Sequence, residues 1–455
     1  MVASSERNSR GTLSSDMAVA AHSRPDVQPV PDSVPWRPAT RAAFRFTFIY
    51  LTLWSFATQV AGGLFQFPGY FLPSFGPMWP MANITLWTAR NVFGVDAAFE
   101  PGNSADTLFW WVQTAWLLVI STVAAAVWTV MDRRRLEYGT LHKWFFLFIR
   151  FALAAQMFYY GMAKVIPIQF MPPALTTLVQ PIGAMSLSTL LWVFVGSSPM
   201  YQLFTGIAEV LAAIFLVIPR TTPLGAILAL MDMIQVFALN MSYDFGLKQI
   251  SFHYIVMALF LLAPDWRRLV NVLMLGRPAP PATHRPLFRG AGANRAALIV
   301  QIVVGAYLLG NYTYLEARQY DAPEGPGHPR SALYGIWDIR KMTIDGEVRE
   351  PIFNDYDHRW RRAIFDFPTR MAFQRTDDSL TRYDTAIDVE RGTVTFGKFN
   401  SRSWSATLLF RRPAPDQLVL EGTFDGRQML IEMEQVGLDT FPLLNSRFRW
   451  IRPPD

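Results

Sequence analysis

The sequence predicts an α-helical membrane protein of about seven transmembrane helices, followed by a C-terminal antiparallel β-barrel-like domain. Three observations carry this. Of 455 residues, 51% are hydrophobic and only 17% charged, with a positive mean hydropathy of +0.18; a soluble chain carries about a quarter charged residues. Apolar stretches recur along the first 312 residues with Arg clusters between them. After Tyr314 the composition turns charged, aromatic and rich in turn dipeptides.

Residues 1–40 are rich in Ser, Pro, Ala and Arg and have no apolar core, which reads as a disordered cytoplasmic tail. No apolar segment ends there in a small-residue cleavage site, so a secretory signal is not expected. The membrane domain is expected over 41–312. Its spans fall near Ala43–Phe65, Thr107–Val130, Trp144–Ile166, Pro199–Pro219, Thr222–Met241, Ile250–Ala263 and Ala296–Asn311. Each meets or approaches the ~20 residues a bilayer core requires, the sixth being the shortest. Met185–Gly196 is apolar but too short to span and reads as an interfacial or re-entrant helix. Pro77–Phe93, with Trp79 and Trp87, suits a segment lying at the membrane surface.

Basic residues alternate between connections. Arg133–Arg135, Arg220 and the run from Arg267 to Arg295 fall on the side of the tail, while the opposite loops hold only Arg90 and Lys248, with Lys164 at a helix end. The positive-inside rule then puts the N-terminus in the cytoplasm and the C-terminal domain outside, in a bacterial-type inner membrane. The Pro-rich stretch 265–295 reads as a cytoplasmic linker and 313–329 as a second linker. In 330–455, short alternating runs such as Thr393–Phe396, Ser405–Phe410, Leu418–Phe424 and Gln428–Met433 are separated by turn signals including Asp345-Gly346 and Asp425-Gly426. Strands at this spacing argue a sheet or barrel.

Several chemistries are excluded or disfavoured. The chain has no Cys, which removes disulfides, thiolate metal sites and thiol nucleophiles. Six His are scattered, and His253 alone lies within an apolar span, so a haem held by two membrane histidines is not expected, nor any metal site. The net charge of +6 sits in loops where it orients helices, so no nucleic-acid partner is expected. Asp355, Asp357 and His358 read as a turn between strands.

Ionisable groups in a bilayer need a partner or a purpose. The third span holds Arg150, Gln156, Tyr160 and Lys164, the last three at i, i+4, i+8 on one helix face. The fourth holds Glu209, the fifth Asp232 and Gln235, and the sixth His253. These eight residues form a candidate intramembrane polar cleft, with Lys164, Glu209 and Asp232 sharing one opening. The alternative is structural: Lys164 and Arg150 reach the headgroups, and the two acids only hold helices together.

These residues also carry a resemblance. Arg150, Gly161-Met-Ala-Lys164, Glu209 and the turn Pro219-Arg220-Thr-Thr-Pro-Leu-Gly resemble the DoxX-like family of four-helix membrane proteins, over about residues 144–263. The insertion Pro167–Gly196 departs from its compact members. A more distant similarity, in the helix pattern with a lysine at a helix end, is to the membrane domain of vitamin K-dependent carboxylases. In the C-terminal domain, Gly335-Ile-Trp337 with a late Arg449 resembles the lipocalin-like (calycin) barrels, which implies a Trp plugging the barrel floor with Arg across its ring.

The DoxX-like resemblance implies an accessory or non-catalytic component of a quinone-linked redox system, with the lipid bilayer and a redox protein as partners. It implies no cofactor held by the chain itself beyond a bound quinone or lipid. Two alternatives remain open: a carrier for a lipid or other apolar ligand, and a membrane enzyme using Lys164 or Glu209 as acid or base.

Overall fold

A computed structural model describes residues 35–67, 70, 72–101, 105–279, 286–322, 325–327, 329–352, 359–398 and 404–445. The tail to residue 34, the Asp355, Asp357 and His358 turn, and Arg449 lie outside the described residues.

Helix α1 (Pro38–Ala57) starts inside the expected tail, because Pro38 at its first turn supplies a preset φ and needs no N–H partner there. The expected first span is not one helix. Thr58 adopts extended backbone, and the chain resumes as α2 (Gln59–Leu64), which turns Gln59 toward the bundle. The segment expected at the surface forms α3 (Met81–Thr88). Then follow α4 (Leu108–Met131), α5 (Gly139–Val165), the short α6 (Leu175–Leu178), α7 (Leu187–Gly196), α8 (Pro199–Val217), α9 (Thr222–Ser242) and α10 (Lys248–Leu262). Helix α11 (Trp266–Leu273) occupies the start of the expected linker, and α12 (Ala291–Tyr320) runs beyond the expected membrane boundary into the second linker.

Among these, α4, α5, α8, α9 and α12 are long and apolar enough to cross a membrane. Among the described residues that makes five such helices, against about seven expected. The other two expected spans exist as helices but fall short: α1 carries Arg41 and Arg45, and α10 has only 15 residues. Helix α10 is nonetheless packed deep against α9 and α5. Its first N–H groups, at Lys248 and Gln249, donate to the Asp106 carboxylate at 2.6 and 2.9 Å, a cap supplied from a distant loop.

The C-terminal part is a closed antiparallel barrel. Its strands are β1 (Gly335–Ile344), β2 (Glu347–Val348), β3 (Trp360–Phe367), β4 (Arg370–Arg375), β5 (Leu380–Asp388), β6 (Thr393–Lys398), β7 (Ser405–Arg411), β8 (Gln417–Phe424) and β9 (Arg427–Gln435). Eight of them form the ring, since β9 pairs back onto β1 while β2 pairs only with the end of β1. Asp345-Gly346 and Asp425-Gly426 make the tight hairpins, with all four residues at positive φ (52°, 86°, 51° and 81°). That is the conformation of a two-residue turn matched to strand twist, and it suits Asp-Gly. The helix α13 (Pro442–Asn445) follows the last strand.

Two-residue alternation sorts the barrel's side chains into an inside and an outside. Trp337, Phe365, Phe373, Phe396 and Leu408 are fully buried in the interior. Ile336 and Ile364 point the other way, yet they too are fully buried, against Leu175 of α6. The Leu175 N–H donates to Asp366 Oδ2 at 2.8 Å, and the buried Gln374 donates from Nε2 to the Val179 carbonyl at 3.1 Å. The insertion between α5 and α8 is therefore the segment on which the barrel docks.

Candidate functional site

Helix α5 packs more extensively on α8 than on any other element, and two glycines set how closely. A Cβ at Gly161 would meet Val210 Cγ2 at 2.8 Å, and one at Gly206 would meet Lys164 Cβ at 2.8 Å. Each helix thus carries Gly-x-x-charge: Gly161 three residues before Lys164, and Gly206 three residues before Glu209. Small residues at such a crossing let helix backbones approach, and the next turn of each helix then brings its charge onto the other. Lys164 Nζ donates to both Glu209 oxygens at 2.7 Å, with both side chains buried.

Lys164, Glu209 and Asp232 line one cavity of about 90 Å³, together with Tyr160 and Gln235. A cavity needs roughly 10–15 Å³ of such space to hold one water, so this one has room for several waters or a compact polar group. Asp232 faces Glu209 and shares a side-chain hydrogen bond with it, and its Oδ2 is buried. The opposite wall is aromatic and comes from the insertion and the α9–α10 turn. Trp192 lies between Phe170 and Phe245, with ring centroids 4.6 and 4.4 Å away.

Behind Tyr160 stands a buried amide and hydroxyl network. Gln59 Nε2 donates to Tyr160 Oη at 2.8 Å and Gln156 Oε1 at 3.2 Å, and Tyr254 Oη donates to the same Gln156 oxygen at 2.7 Å. The expected i, i+4, i+8 face of α5 is therefore real: Gln156 backs the cavity, and Tyr160 and Lys164 line it.

Two expected members of the cleft lie elsewhere. Arg150 is buried two helical turns before Gln156, donating to Gln301 Oε1 of α12 and, at 3.5 Å, to Thr222 Oγ1. Helix rise alone separates it from Lys164 by ~20 Å. His253 belongs to a packed cluster with α1: its ring stacks on Trp54 at 3.9 Å, Nε2 meets Tyr50 Oη at 2.6 Å, and Nδ1 meets the Gln249 carbonyl at 2.7 Å. It shares α10 with Tyr254, but one residue is ~100° of helix rotation, which turns it away from the cavity.

Gln59, Tyr254, Phe170 and Trp192 were not anticipated. Gln59 and Tyr254 sit in or beside expected spans, and neither is ionisable at neutral pH. The two aromatic residues lie in an insertion whose apolar run signals burial without saying against what.

In the barrel, Gly335 opens β1 at φ +147°, and a Cβ there would meet Gln435 Nε2 at 2.6 Å. Trp337 is fully buried and donates from Nε1 to the Leu333 carbonyl at 2.9 Å. Arg412, at the end of β7, lies 5.4 Å from the centre of its indole ring. A cation thus lies over Trp337 from Arg412, while the expected Arg449 falls outside the described residues. Aromatic and aliphatic side chains pack together in the interior of this barrel.

No family profile matches the chain, and no solved structure matches it. The "Uncharacterized protein YwoB" of Bacillus subtilis (strain 168) is a relative, 36% identical over 123 residues, which is 27% of this chain and 78% of that protein. At that identity and coverage, the chain belongs to the same family as the uncharacterized protein YwoB.

Proposed function

We propose that this chain is an inner-membrane protein that binds the head group of a lipophilic molecule in the Lys164–Glu209–Asp232 cavity, as an accessory component of a quinone-linked redox system. The observation that carries the reading is the buried ion pair opening onto an aromatic-walled cavity. A pair meant only to hold α5 to α8 gains nothing from a second carboxyl and a cavity beside it, because each further buried carboxyl costs free energy to desolvate. The resemblance of residues 144–263 to DoxX-like proteins supports the quinone connection and a redox protein as partner. The basic loops support a cytoplasmic N-terminus with the barrel outside.

The test is to purify the chain in mild detergent, extract it with organic solvent and identify what is carried along by mass spectrometry. A quinone or neutral lipid recovered near one per chain, and depleted in Lys164→Met/Glu209→Gln, is expected. Recovery of bulk membrane lipid alone, unchanged in the double variant, would contradict the proposal.

A further inference from the structure

Resting on that reading of the cavity, we infer a positioning role for the barrel: by docking α6 it holds the Phe170–Trp192 wall against the cavity, and so sets how long a ligand stays.

The insertion between α5 and α8 takes part in two small cores. One is the cavity wall, where Phe170, Leu191 and Val195 are buried together and Trp192 and Tyr201 pack against them. The other is the dock, where Leu175 is buried with Ile336 and Ile364 of the barrel, and Leu178 and Val179 pack alongside. A helix of four residues falls far below the ~12–15 at which an isolated helix becomes even marginally stable in water. The N-cap residue of α6 is Ala174, which has no side chain to cap with. Asp366 of β3 accepts from the Leu175 N–H instead, and Gln374 of β4 holds the other end at the Val179 carbonyl. Gln374 is itself fixed. It is wholly buried, its Oε1 accepts from Arg362 at 3.2 Å, and its Nε2 also donates to Asp378 Oδ1 at 3.1 Å. The barrel therefore dictates where α6 lies.

Two links carry that position to the wall. Met171-Pro172-Pro173-Ala174 joins Phe170 to Leu175. Successive prolines fix φ and keep the residue before each of them extended, so this connection is stiff. The second link is a close approach: a Cβ at Gly196, the last residue of α7, would collide with the Met171 carbonyl oxygen. A shift of residues 171–175 therefore presses on α7, which carries Leu191, Trp192 and Val195. The Lys164–Glu209 pair is held by α5 and α8 where Gly161 and Gly206 let them meet, and it takes no part in either link. Release from the barrel should loosen the aromatic wall and leave the polar end in place.

Because the chain has no Cys, the dock can be unmade and remade in one molecule. Val179→Cys/Gln374→Cys removes the Gln374 hydrogen bond, and a short bis-maleimide then ties the two positions together. Full chains in nanodiscs of zwitterionic lipid are loaded with tritiated decyl-hydroquinone and chased with an excess of the unlabelled form, which gives the off-rate and the number of sites per chain. The unlinked variant should release the probe about 10-fold faster than the wild type with its number of sites unchanged, and linking should restore slow release. Equal off-rates in all three, or fast release that linking does not slow, would overturn this inference and leave the cavity reading standing. Fewer sites with the off-rate of the remainder unchanged would show that the dock only helps the chain to fold, which overturns it as well. If the wild type holds no displaceable probe, the cavity reading falls, and this inference with it.

Discussion

The two regions of this molecule bury cations, and Lys164 among the helices and Arg359 in the barrel are accommodated in opposite ways. In the helical region, Lys164 is paired with a carboxylate, and the pair faces an open cavity. In the barrel, Arg359 is almost wholly buried next to β3, and its guanidinium donates to backbone carbonyls of Trp360 and, at 2.9 Å, Ile339. Burial lowers the Arg359 pKa below its ordinary value. Its surroundings are side chains packed to closure, with Met342 against the guanidinium. The same cost of burying charge is met by a closed scaffold in one region and beside vacant space in the other. On the proposed reading the ligand site therefore lies among the helices, although the resemblance to lipocalin-like barrels would have drawn attention to the barrel.

The largest expected effects come from breaking each region at its centre. Lys164→Met strands Glu209 as a buried charge and should cost ~3–5 kcal/mol, read as a drop in thermal stability in detergent. Adding Glu209→Gln should recover much of that loss; a double variant as unstable as the single one would mean the pair does not act together. Trp337→Ala should cost ~3–5 kcal/mol by opening a hole in the packed interior of the barrel, measured as the cooperative circular-dichroism melt of residues 325–455. A change below ~1 kcal/mol would mean the interior is not packed as described.

A smaller effect is expected where the regions meet. Leu175→Ala removes the side chain clasped by Ile336 and Ile364 and should cost about 2 kcal/mol at that contact. Amide exchange should quicken over residues 167–196, which carry Phe170 and Trp192, while strands β4 to β7 keep their protection. Equal quickening in both would show that the insertion is not a separable wall.

The smallest effect is a pH dependence at the same contact. Burial raises the Asp366 carboxyl above its ordinary value of 3.8, against the opposing pull of the Leu175 N–H and of Arg330. An acid whose folded pKa is raised contributes stability that is fully present below its unfolded pKa and is lost as pH rises through the folded one. Asp366→Asn should therefore flatten the decline in stability across the acidic range above 3.8, measured as melting temperature against pH. A wild-type curve no steeper than the variant's would contradict this.

Much of this arrangement is legible in the sequence, for reasons that differ by element. Gln156, Tyr160 and Lys164 share a face because helix geometry fixes it, and an acid in a neighbouring apolar span is the obvious partner for the lysine. Asp-Gly at 345 and 425 announces its turns through backbone sterics alone. What a one-dimensional pattern does not contain is which helix faces which. His253 and Tyr254 are adjacent in sequence yet serve different clusters, and Arg150 belongs to the same helix as Lys164 but to another neighbourhood. Thr58 breaks the first span with no Pro or Gly to mark it. The docking of α6 was equally hidden, since four residues in an insertion, two of them Thr, carry no periodicity. Among the eighteen Arg and Lys that follow Trp337, nothing in the sequence singles out Arg412 as a residue that reaches its ring.

The central claim is that the helical cavity, and not the barrel, receives a lipophilic ligand. Photolabelling tests it most directly: the full chain in nanodiscs is irradiated with a decyl-hydroquinone carrying a diazirine beside its ring, then digested and sequenced by mass spectrometry. The account predicts label on peptides spanning Tyr160 to Thr205 and Asp232 to Tyr254, competed away by unlabelled decyl-hydroquinone. Competable label on the barrel strands that carry Trp337, Phe373 and Phe396, with none in the helical cavity, would contradict it.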